Sequence, residues 1–71
     1  MKVGELVIVS ARGQRVRCRV DAVSYDGRAL ALVALGTNIG LFVVDNAGVW
    51  RDLGGNRLEI EPFVPGTPGN N

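Results

Sequence analysis

Arg15, Arg17 and Arg19 alternate with Val16, Cys18 and Val20. Side chains at every second residue of a strand leave the same face, about 7 Å apart. That spacing matches neighbouring phosphates along a single nucleic-acid strand. Arg12, at the turn before them, and Arg28, beyond the far end, extend the basic stripe. The same residues have plainer uses. The arginine stems can cover small neighbours such as Ala29 and Ala31, or the guanidiniums can form a cross-strand ladder with Glu59 and Glu61. Trp50 is the other candidate. It follows a turn, precedes Arg51-Asp52, and suits either a core plug or an exposed anchor for a protein partner. The candidate binding residues are therefore Arg12, Arg15, Arg17, Arg19, Arg28 and Trp50.

Other chemistry finds little support. The chain has no histidine, which removes the usual general base and the commonest transition-metal ligand. Ser10 and Ser24 have no motif around them. Glu59 and Glu61 share a strand face and read as a solvated rim or as partners for arginines. Cys18 lies between two arginines, and nearby positive charge lowers a thiol pKa. Alternation, however, aims it away from Arg17 and Arg19 and into the core, where a thiol is inert. No helix follows Gly54-Gly55, so they are turn residues and not a phosphate loop. No catalytic residue, metal site or cofactor is expected, and the chain reads as a non-enzyme.

The 71 residues make one domain at most. So short a chain buries roughly 60% of the surface its unfolded form exposes. A single cysteine excludes an internal disulfide, leaving a well-packed core or self-association as the source of stability. The apolar fraction of 46% is high for so small a domain, and part of that area is expected to be shared with a partner or a second copy. The net charge is +1, which gives no general bias towards nucleic acid. It is unevenly spread: residues 1–20 are basic and residues 45–61 mildly acidic. No apolar run is long enough for a bilayer, no export signal is visible, and a lone thiol suits a reducing interior. A cytoplasmic protein with no membrane partner is expected.

Turn signals and period-2 patterns punctuate the whole chain. Leu6–Val9 is a first strand and Arg12-Gly13-Gln14 a turn. A long strand runs from Arg15 through Val23 to Tyr25, and Asp26-Gly27 signals a two-residue hairpin. The return strand, Arg28–Leu35, is apolar on both faces. A bulge near Asp21-Ala22 reconciles the two: it turns Val23 and Tyr25 inward and leaves Ala29, Ala31 and Val33 beside the arginines. After a loop at 36–40 come Leu41–Val44, a type I turn at 45–48 and a strand from Val49. A tight turn at 53–56 leads to Arg57–Glu61, ended by Pro62. This pattern predicts an all-β domain over residues 1–63, a small five-stranded antiparallel, partly closed barrel. A Pro/Gly/Asn-rich tail at 64–71 is predicted to be flexible. The order of long bent hairpin, second hairpin, tight turn and short last strand resembles the Src-homology-3-like small barrels. The likeness is of layout, over roughly residues 3–63.

Two functions fit. One is a non-enzymatic interaction module that binds a protein partner, or itself as a homo-oligomer, through an apolar, arginine-rich sheet face. The alternative is a nucleic-acid-binding barrel that uses the Arg15, Arg17, Arg19 stripe. Single-strand binders set several aromatics among their basic residues. Here only Tyr25 is near the stripe, which favours the first.

Overall fold

The computed structural model of the chain describes residues 1–64. Its strands are β1 (Leu6–Ala11), β2 (Gln14–Val23), β3 (Ala29–Ala34), β4 (Gly40–Asn46), β5 (Val49–Asp52) and β6 (Arg57–Pro62). Each pairs antiparallel with its sequence neighbour, and β1 pairs with β6, so the sheet closes completely. The predicted barrel is thus present with six strands in place of five, and closed in place of partly open. The strands read at Leu41–Val44 and from Val49 are both present, paired as the two arms of a hairpin, β4 and β5. Of the predicted tail, residues 65–71 lie outside the described residues.

Alternation decides what goes inside. Val7, Val9, Cys18, Val20, Leu30, Leu32, Val43 and Leu58 are buried, and Ala11, Val23, Ala34, Leu41, Trp50 and Ile60 pack against them. Val16 faces the same way but stays 43% exposed, because it lies where the barrel opens beside the β3–β4 loop. The expected bulge is there: Val20 pairs with Leu32 and Ala22 with Ala31, leaving Asp21 as the extra residue. It lets Leu30 and Leu32 point inward while Ala29, Ala31 and Val33 join the outer face.

Tyr25 does not turn inward; it is fully exposed. β2 ends at Val23, and four residues, Tyr25–Arg28, span the gap between Ser24 and Ala29, whose backbones are hydrogen-bonded. Only Gly27 there has positive φ, so Asp26-Gly27 is not a two-residue turn. Asp26 instead braces a wider loop: its Oδ1 accepts from the Ser24 hydroxyl at 2.7 Å and from the Arg28 backbone N–H at 3.0 Å. Positive φ at both central residues occurs elsewhere, at Arg12-Gly13 and Ala47-Gly48. These residues join Ala11 to Gln14 and Asn46 to Val49, the two-residue geometry whose twist suits adjacent antiparallel strands. The 45–48 turn is therefore of this mirror-image kind and not type I.

The β5–β6 turn is held by Asp52. Its Oδ1 accepts from the backbone N–H groups of Gly54 and Asn56, both at 2.9 Å. At the N-terminus, Gly4 donates to the Val20 carbonyl and Val20 donates to that of Glu5, which ties the entry segment to the bulge.

Candidate functional site

β2 carries Arg15, Arg17 and Arg19 outward, as predicted, and all three are exposed. They stand opposite Ser10, Ile8 and Leu6 of β1, with Glu59 and Glu61 of β6 on the far side of β1. The stripe is largely compensated. Arg15 Nη2 is 2.6 Å from Glu61 Oε1, reaching diagonally across β1. Arg19 Nη2 is 3.4 Å from Asp21 Oδ1. Arg17 lies over the ring of Phe63, 5.7 Å from its centroid, a cation–π contact. Ile8, Arg15, Arg17, Glu61 and Phe63 line an open depression of about 600 Å³ on this side of the barrel.

The remaining candidates do not join this face. Arg12 is in the β1–β2 turn, where its Nη2 donates to Asn56 Oδ1 at 3.2 Å. Arg28 is in the β2–β3 loop, beyond the bulge and the last β2–β3 pair. Trp50 points into the barrel opposite Leu58 and packs against the core, half-buried. Of the two roles open to it, the plug is the one it fills, and it is not an exposed anchor. Asp45, its partner on β4, has a buried Oδ1 with no hydrogen bond.

Cys18 is 2% exposed, and burial pushes its thiol pKa up. This is the reverse of what a reactive thiol needs. Asp26 and Asp52 are held below the usual carboxylate range. The largest cause is a side-chain hydrogen bond, from Ser24 to Asp26 and from Asn56 to Asp52. Both stabilise turns. Among the described residues there is no group of three or more His, Cys, Asp or Glu side chains placed to share a metal ion. No helix among them is long and apolar enough to cross a membrane.

A second outer face escaped the sequence reading as a site. β3 presents Ala29, Ala31 and Val33 outward, and β4 presents Gly40, Phe42 and Val44. Phe42 is 60% exposed, and Leu53, in the turn beyond β5, is 76% exposed. With Ala22 and Val23 they border an apolar trough of about 400 Å³. The signal was present in the two-faced apolarity of Arg28–Leu35, but no pattern marked Phe42 as an outward residue. The apolar and arginine-rich surfaces expected to form one face are two, meeting where Arg19 pairs with Val33. No protein-family model, curated protein or solved structure matches the chain.

Proposed function

We propose that the chain is a non-enzymatic interaction module that binds protein through the outer face of β3 and β4. The observation that carries this reading is the exposure of Phe42 and Leu53 beside a floor of alanines. Small proteins rarely leave contiguous apolar area uncovered without a use for it. Closure of the barrel adds to the case. Among the described residues every strand has a neighbour on both sides, so a partner engages side chains on a face more readily than it adds a strand. The layout of a long bent hairpin, a second hairpin, a tight turn and a short last strand supports an Src-homology-3-like kind of barrel. The lone buried thiol fits a cytoplasmic setting.

The nucleic-acid alternative is less well supported. Arg15 and Arg19 each face a carboxylate and Arg17 covers a ring, so a phosphate would have to displace existing partners. Tyr25, the aromatic nearest in sequence, sits in a loop beyond the bulge.

Photo-crosslinking from within cells tests the proposal. A photoreactive residue at position 42 should capture protein, either another chain or this one, while one at position 59 on the opposite side should not. Capture of nucleic acid from position 17, with nothing at position 42, would replace this reading with the alternative.

A further inference from the structure

The row Ala22–Ala31–Phe42 crosses three adjacent strands on the outer surface, since Ala22 pairs with Ala31 and Ala31 with Phe42. Neighbouring strands are about 4.8 Å apart. A large knob and a socket floored by methyl groups therefore lie side by side, with Ala31 midway between Phe42 and Ala22. Such a pair complements itself. A two-fold axis running along β3 past Ala31 sets each Phe42 over the other copy's Ala22, with the two sheets stacked face to face.

Charge points to the same occupant. The outward residues Ala22, Ala29, Ala31, Val33, Phe42 and Val44 carry none. A foreign partner recognised by charge would find nothing to hold at the centre. Two identical copies bring no charges together there, and a net charge of +1 opposes their approach little. Two of the flanking cations are already partnered. On the β2 side Arg19 faces Asp21, and on the β5 side Arg51, paired with Val44, donates from Nη1 to the Gly55 carbonyl at 2.9 Å. Need is a third argument, because the buried core comprises eight side chains, four of them valine.

We infer that the partner at this face is a second copy of the chain, joined in a two-fold dimer by reciprocal insertion of Phe42 into the Ala22–Ala31 trough. The inference rests on the reading of this face given above. The face comprises few residues beside the roughly 20–30 per side of a standard stable interface. The dimer is therefore weak and concentration-dependent.

Sedimentation equilibrium of the whole chain, from about 10 μM to about 1 mM, should show the mass rising from one copy to two. Phe42→Glu, which removes the knob, and Ala22→Lys, which fills the socket, should each weaken association by at least about 30-fold. Circular dichroism should show both variants folded. Should either fail to fold, amide chemical shifts of the wild-type chain decide: concentration-dependent changes should be confined to β2–β4 around residues 22, 31 and 42. A monomer at every concentration overturns the second copy while leaving the face open to another protein. A dimer untouched by both substitutions, or shifts centred on Arg17 and Phe63, overturns the dimer described here, and only an absence of capture from position 42 overturns the reading of the face.

Discussion

Leu32 is the largest of the fully buried side chains, 1% exposed and paired with Val20 and Leu41. Replacing it by alanine removes three carbons from the middle of the barrel. The surrounding backbone is a closed ring of hydrogen-bonded strands that cannot collapse freely into the gap. Buried leucine-to-alanine changes cost about 2–5 kcal/mol, more where the site relaxes poorly. A cost of about 3 kcal/mol is expected. Domains hold about 0.05–0.15 kcal/mol per residue, or about 4–11 kcal/mol for 71 residues. The substitution thus removes a large share of the total. At about 4–8 °C per kcal/mol for a domain of this size, Tm should fall by about 12–24 °C. The urea midpoint should drop by about 2–3 M with m unchanged. Phe42→Ser is the control. Phe42 belongs to β4, the strand that pairs with β3, but its side chain points outward. Its loss should cost below about 1 kcal/mol, the scale of a cross-strand pair. Both variants should be compared at concentrations low enough to keep the chain monomeric. A one-residue slip of register exchanges the two faces of a strand. If Leu32→Ala cost under about 1 kcal/mol, or Phe42→Ser cost as much as Leu32→Ala, the assignment of inside and outside would be wrong.

Replacing Arg15, Arg17 and Arg19 together by glutamine should leave the fold intact and cost at most about 1–2 kcal/mol. The Arg15–Glu61 pair is more than half exposed on both sides, and such pairs are worth about 0–1 kcal/mol; urea melts check this. Cys18 should react with a disulfide reagent only as fast as the barrel opens, so that native-state labelling slows with every stabilising change. Ala47 has φ of 56° in a two-residue turn. Ala47→Asn should raise stability by about 0.5–1 kcal/mol in thermal unfolding, since asparagine tolerates the left-handed region better. Asp52 has its folded pKa below its unfolded value of about 3.8. Its contribution is present above that value and is lost as pH falls through the folded pKa. Melts between pH 6 and pH 2 should show Asp52→Asn to be less stable near neutrality and less sensitive to acid than the wild type.

Local pattern revealed the strands, their turns and the bulge, because each leaves a trace within a few residues. The clean alternation from Arg15 to Val20 fixed the faces of β2. The mismatch between Val20 and Val23 located the bulge near Asp21-Ala22, and the register makes Asp21 the extra residue. What failed was choice among turns. Asp26-Gly27 has the best mirror-turn sequence yet forms a wider loop, while Arg12-Gly13 and Ala47-Gly48 take the mirror form. Strand register overrode residue preference at those sites. The site was less legible. The outward path of the arginines followed from alternation, but their pairing with Glu61 and Asp21 depends on which strand lies beside which. The exposed face around Phe42 depends on where β3 and β4 lie around the ring, and Phe42 within Leu41–Val44 looks like any core aromatic until β4 is registered against Leu30 and Leu32.

The seam that closes the ring joins β1 to β6, from Val7 opposite Pro62 to Ser10 opposite Glu59. These partners are the most distant in sequence of any that pair. All six strands can form hairpins with their sequence neighbours as local events, but β1 and β6 gain each other only when the two ends of the barrel meet. Loop entropy is lost well before that contact repays it, which places most of the barrier late and makes folding slow for so short a chain, in milliseconds to seconds. A nascent or clipped chain lacking β6 would leave β1 and β5 as bare edges, the arrangement most prone to pairing with another molecule. The same closure that gives every strand two neighbours in the finished protein thus makes its unfinished form the vulnerable one.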